Sequence, residues 1–163
     1  MHPSTPSFCI EKPEGPLYIV TDCHLDFDQA HFEEFIEMLE RLPQAQVLIC
    51  LGDLFKVWLA MPKFWTDAHR RVMDAFRMHR DRGSKVVFVA GNREKLVPRG
   101  WQDRIQEPYP FTHLSREDWQ LQWGQMKLGF IHGDAINTQD LRHLRWRASV
   151  SYTHLTLPTI PGV

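Results

Sequence analysis

The sequence has no Cys-x-x-Cys pair. Its three cysteines, Cys9, Cys23 and Cys50, are odd in number and scattered, which argues against a zinc knuckle or a disulfide framework. Cys50 lies inside an apolar run, and the set suits a reducing compartment. The opening stretch MHPSTPSFCIEKPEGP lacks the apolar segment of a secretory signal. No apolar run is long enough to cross a bilayer. Charge of either sign is also missing in bulk: 19 Lys and Arg stand against 20 Asp and Glu, for a formal net charge of -1. No global field therefore draws the chain to nucleic acid or to an acidic membrane. Basic residues crowd only in His69–Gly83, HRRVMDAFRMHRDRG, where Val72, Met73, Ala75 and Phe76 interrupt them at helical spacing. That stretch reads as a solvated helix face with basic residues towards its C-terminal end, and no nucleic-acid partner is expected.

What is present suits one globular domain: 163 residues, 43% of them hydrophobic. Met1–Pro16 is rich in Pro and Ser and reads as a loose arm. Leu17–Thr21 is strand-like. Gln29–Arg41 carries Phe32, Phe35, Ile36 and Leu39 at helical spacing, and Pro43 ends that helix. Val47–Leu51 reads as a buried strand, Thr66–Arg82 as a second helix stopped by Gly83, and Lys85–Ala90 as a third strand. Trp119–Trp123 and Met126–His132 form a predicted hairpin around Gly124. Strands alternating with helices predict an α/β domain with a largely parallel sheet at its start. The last fourteen residues, VSYTHLTLPTIPGV, follow an arginine-rich helical segment abruptly, and their first six look like a translated sequencing-library transposon end. The expected layout is thus an arm over 1–16, a truncated domain over 17–149 and a non-native tail over 150–163.

Four apolar runs stop in the same way. LYIVTDCH ends at Asp22 and His24, VLICLGD at Asp53, VVFVAGNR at Asn92 and Arg93, and LGFIHGD at His132. Each is an apolar strand followed at once by a side chain able to hold a metal. Taken singly these residues are ordinary: Asp53 is a good helix cap, Asn92 a good turn residue and His132 a good core histidine. Taken together they fall about one strand–helix–strand unit apart, and the carboxyl ends of strands in an open α/β sheet meet in one crevice. Residues i and i+2 of a strand also point the same way, which would aim Asp22 and His24 at one point. Glycines beside three of the four allow sharp turning and close approach.

The ordered set Asp-x-His, Gly-Asp, Gly-Asn-Arg and His-Gly-Asp resembles the calcineurin-like metallophosphoesterases over Leu17–Ser149. Within them, GNRE and IHGDAINTQD look most like the bacterial UDP-2,3-diacylglucosamine diphosphatases of lipid A synthesis. The resemblance implies an αββα sandwich, of which this chain holds the N-terminal part, and two divalent metal ions, usually manganese. It implies Asp22 and His24 on one metal, Asn92 and His132 on the other, and Asp53 bridging them. Arg93 would bind substrate phosphate and balance transition-state charge, because a guanidinium with a pKa above about 12 is no proton donor. Asp140 would line the substrate pocket, and Asp134 would support the site from behind the ligands. The expected substrate is small and phosphorylated, a sugar-nucleotide lipid pyrophosphate, and the expected location is the cytoplasm with peripheral contact to the inner membrane.

The match has departures. Lys56 stands where an acidic residue is usual after Gly-Asp, and Glu94 replaces the usual Asp after Gly-Asn-Arg. No Gly-His-x-His segment, which would give each metal a further histidine, occurs anywhere; His143 and His154 stand alone. The fragment is therefore expected to be impaired. Two other readings stay open: a phosphodiesterase acting on other small substrates, and a phosphate-binding module without turnover. LFKVWLAMPKFW, Leu54–Trp65, is either an apolar lip for a lipid-bearing substrate or ordinary core beneath a loop.

Overall fold

Val47–Leu51 and Lys85–Val89 are apolar at nearly every position, as strands buried on both faces must be. The computed structural model describes residues 8–26, 31–56, 58–59, 61–94, 108–116 and 118–133. In it these two segments, β3 and β4, pair in parallel at the centre of a four-stranded sheet. Leu17–Val20 (β2) flanks β3 and His113–Ser115 (β5) flanks β4, so the sheet runs β2-β3-β4-β5 and is parallel throughout. A second sheet has Phe8–Ile10 (β1) beside Asp118–Trp123 (β6), which pairs antiparallel with Met126–Ile131 (β7).

Alternation along β3 and β4 divides the core. Val47, Ile49, Val87 and Val89 meet Trp119, Leu121 and Phe130 of the second sheet. Leu48, Cys50, Val86 and Phe88 turn to the opposite face, against the two helices. The described residues thus supply three layers of an αββα sandwich: helices, parallel sheet, mixed sheet.

The helices are built as their spacing predicts. His31–Arg41 (α1) buries Phe32, Phe35, Ile36 and Leu39 and leaves Glu33, Glu34 and Arg41 outside. Residues 27–30, where its predicted first turn begins, lie outside the described set. Asp67–Asp81 (α2) is capped by Thr66, whose hydroxyl accepts from the His69 N–H while His69 Nδ1 accepts from the Thr66 N–H. This is a capping box with an imidazole in place of the usual carboxylate. Gly83, at φ 96°, provides the left-handed residue that stops α2. The basic stretch is indeed a half-solvated helix, burying Val72, Met73, Ala75 and Phe76. Arg71 reaches across to Glu33 of α1 in a two-pronged ion pair, 2.6 Å at each contact.

Three features differ from expectation. Phe8–Ile10, inside the segment read as a loose arm, is a strand held by β6. Parallel pairing with residues more than a hundred positions away carries no local sequence signal. β5 was likewise invisible, being only three residues long. Finally, β2 ends at Val20, so Asp22 and His24 lie beyond the strand. They sit at φ 51° and 46°, not in the extended backbone on which the i, i+2 argument relied.

Candidate metal centre

β2, β3 and β4 run in parallel, so Val20, Leu51 and Val89 finish along one edge of the sheet. The chain segments that follow stay paired for a few residues more. The Asp22 N–H donates to the Gly52 carbonyl (3.1 Å), that of His24 to the Asp53 carbonyl (2.9 Å) and that of Leu25 to the Leu54 carbonyl (2.9 Å). These two segments are thereby laid side by side. Among the described residues, the only non-glycine residues at positive φ are Asp22, His24 and Asp53. Left-handed backbone costs a side-chain-bearing residue about 1 kcal/mol or more. Three such residues meeting at one strand edge mark a site where orientation outweighs local comfort.

Their side chains converge. His24 Nε2 lies 3.7 Å from Asp53 Oδ2 and 4.0 Å from Asp22 Oδ1. His132 follows β7 of the other sheet, yet its Nε2 lies 3.4 Å from Asp22 Oδ1 and 3.9 Å from Asp53 Oδ1. One ligand atom from each of Asp22, Asp53 and His132 falls within 4.8 Å of the others. Asp53 and His132 are buried, whereas Asp22 opens to solvent. The Thr21 hydroxyl, 2.8 Å from Asp22 Oδ2, holds the Asp22 carboxyl below the usual carboxylate range, opposed by partial burial and helped by His132. Two carboxylates and the His132 imidazole crowded at one point, with the His24 imidazole beside them, need a cation more than they need each other. Oxygen and imidazole donors without thiolate suit Mn²⁺ and do not demand Zn²⁺. The donor set fits a divalent ion.

Close approach is enforced by glycine. A Cβ on Gly52 would stand 2.6 Å from His132 Cδ2 and 2.7 Å from the Gly91 Cα. A Cβ on Gly91 would strike the Asp53 carboxylate and come 2.8 Å from its backbone nitrogen. Asn92 is half-buried between Gly91 and Arg93, both of which touch Asp53. The Arg93 N–H donates to Asp53 Oδ1 at 2.9 Å. Its guanidinium lies over the same carboxylate, with Nε 3.9 Å from Oδ2 and Nη1 donating to the Lys56 carbonyl at 3.3 Å. Four of the sequence-predicted residues, Asp22, His24, Arg93 and His132, thus gather around a fifth, Asp53, with Asn92 in the same loop as Arg93. Asp134, Asp140, His143 and the 150–163 segment lie outside the described residues.

The family model for calcineurin-like phosphoesterases matches residues 15–157. The chain belongs to the calcineurin-like phosphoesterase family. Proteins of that family similar to it include the UDP-2,3-diacylglucosamine hydrolase of Ralstonia nicotianae, 27% identical over 140 residues, covering 83% of this chain and 50% of that protein. The protein of the same name from Vibrio cholerae El Tor is 33% identical over 135 residues, 80% of this chain and 52% of the relative. That from Edwardsiella ictaluri is 31% identical over 137 residues, 80% and 49%. The chain spans about half the length of these curated relatives. Divalent metal ions are the cofactors this family implies.

The sequence did not disclose how this cluster is braced. Glu94 is fully buried and accepts three backbone N–H groups: those of Asp53 (2.9 Å) and Gly91 (2.9 Å) on Oε2, and that of Leu54 (3.0 Å) on Oε1. Burial pushes its carboxyl up to about 7, against the pull of those donors and with the nearby Asp53 charge adding to the rise. Lys56, the other departure, points outward: its ammonium is 2.6 Å from Asp26 Oδ2, so its charge is spent on a neighbour in the other loop. Cys23, between Asp22 and His24, has its thiol pushed up to about 11 by burial and adjacent negative charge. The aromatic stretch after Asp53 divides. Phe55, Trp58 and Trp65 are core, while Met61 and Phe64 stand exposed.

Proposed function

We propose that the chain carries most of the metal-binding part of a phosphoric ester or anhydride hydrolase. The observation behind this reading is the convergence of Asp22, Asp53 and His132 donor atoms within 4.8 Å at the shared strand edge. Asp53 would be the ligand shared by two divalent ions, two Mn²⁺ in the family pattern, with Asp22 and His24 holding one and Asn92 and His132 the other. Bound dications supply Lewis-acid activation of water and neutralise phosphoryl charge. The chain's own residues do the rest. The Arg93 guanidinium, already fixed near Asp53, turns its fork to phosphate oxygens and stabilises charge as the phosphorus centre expands. The Asn92 amide binds without adding negative charge, leaving the site receptive to an anion. The buried Asp53 and His132 keep bulk water from one side.

For the substrate, the relatives' names and the Gly-Asn-Arg sequence favour a sugar-nucleotide pyrophosphate bearing acyl chains. Among the described residues of the segment after Asp53, Met61 and Phe64 are the exposed large apolar ones and would be the part of it that meets lipid. Asp140 would contact the same substrate. The test is Mn²⁺-dependent hydrolysis of bis-p-nitrophenyl phosphate and of UDP-2,3-diacylglucosamine, by this chain and by a version extended with the Gly-His-x-His region of a relative. Turnover lost in Asp53→Ala supports the reading. Mn²⁺ binding without turnover in the extended protein would favour a phosphate-binding module instead.

A further inference from the structure

The β3–β4 ladder ends at Leu51 and Val89, yet Asp53 and Gly91, two residues on, remain in contact. Glu94 supplies the connection. One carboxylate accepts from the first residue of the Asp53 turn, from the next residue, and from the glycine that opens the Asn92 loop. Its neighbour Arg93 donates its own N–H to Asp53 Oδ1. Residues 93 and 94 therefore grip Asp53 at both ends, one at the side chain and one at the backbone.

We propose that Glu94 is a positioning residue for the metal centre: its three hydrogen bonds set the separation of the Asp53 turn from the Asn92 loop, and hence the metal affinity. This rests on reading the site as a metal centre. Asp53 is held at φ 53°, and its N–H donates to Glu94. Without an acceptor behind it, the turn has two buried donors to satisfy and relaxes to do so. A shift of a few tenths of an ångström carries Asp53 out of register with Asp22 and His132. A glutamate suits the task because its extra methylene, relative to the aspartate usual in similar sequences, lets one carboxylate span both loops. An amide cannot replace it, since its NH₂ would face backbone N–H groups.

The experiment compares Mn²⁺ binding by wild type, Glu94→Gln and Glu94→Asp, using calorimetry and the electron paramagnetic resonance spectrum of the bound ion, well below each variant's unfolding temperature in EDTA. Groups that orient metal ligands typically alter affinity by about 10–100-fold when changed. Glu94→Gln is expected to fall in that range with an altered spectrum, and Glu94→Asp to lie between it and wild type. Wild-type affinity and spectrum in folded Glu94→Gln, with only a lower unfolding temperature, would reduce Glu94 to a structural filler and overturn the proposal. Should Glu94→Gln not fold, Glu94→Asp decides alone, with wild-type affinity counting against. A wild-type chain that binds no Mn²⁺ overturns the metal reading itself, and this inference with it.

Discussion

His132 Nε2 stands 3.4 Å from Asp22 Oδ1 although 110 residues separate them and they follow strands of different sheets. The contact joins the two sheets at the site. Replacing His132 by Ala should weaken Mn²⁺ binding by at least tenfold in calorimetry while leaving the far-ultraviolet dichroism unchanged. An unaltered affinity would remove His132 from the ligand set.

Gly91→Ala tests the close packing of the two loops. The added methyl meets the Asp53 carboxylate and backbone nitrogen, neither of which can retreat without moving the turn. Overpacking of this kind costs about 1–3 kcal/mol. Urea denaturation should show the loss, and Mn²⁺ affinity should fall with it. Gly129→Ala, with open space around the added atom, is the control and should lower neither.

His24→Gly should separate stability from function. Relief of the left-handed strain at φ 46° is worth about 1 kcal/mol, and the half-exposed imidazole gives up little packing. In EDTA the variant should unfold at a higher temperature than wild type; in Mn²⁺ that order should reverse. A lower temperature in EDTA would show that the imidazole supports the fold without metal.

His113 should give the chain an acid-side weakness. Burial, then the Lys85 charge, holds its imidazole below its usual 6.5, and Phe8 and Trp119 pack on it. The unfolded chain therefore binds this proton more readily. Stability is fully present above 6.5 and falls as the pH drops through that value towards the lowered folded one. Urea midpoints at pH 7.5 and 5.5 should differ less in His113→Gln than in wild type.

Arg93→Ala should reduce kcat/KM by about 10²–10³ in the extended, active protein, the magnitude typical of losing one charge-stabilising donor. Arg93→Lys, which keeps the charge but not the fork, should recover only part of it. Equal activity in Arg93→Ala would confine the guanidinium to its contacts with Asp53 and the Lys56 carbonyl.

The helices and central strands were legible because their signals are local. Phe32, Phe35, Ile36 and Leu39 announce α1 by spacing, and β3 and β4 announce themselves by unbroken apolarity. The site was legible because each donor directly follows such a run. β1 was not, since Phe8–Ile10 becomes a strand only by pairing with Leu121–Trp123. Glu94 was seen only as a substitution: nothing in one sequence says that a carboxylate will turn inward to collect N–H groups from a loop 41 residues earlier. Asp22 and His24 do lie side by side, but left-handed turns, not strand alternation, aim them.

The parallel pairing of β1 with β6 has a consequence for how the chain is made. Phe8 must wait for Leu121 to emerge from the ribosome, and Asp22 must wait for His132. Contacts so distant along the chain form late and slowly. The Asp22–Asp53–His132 cluster therefore cannot assemble before residue 132 is made, and a nascent chain halted short of it should bind a divalent ion only weakly.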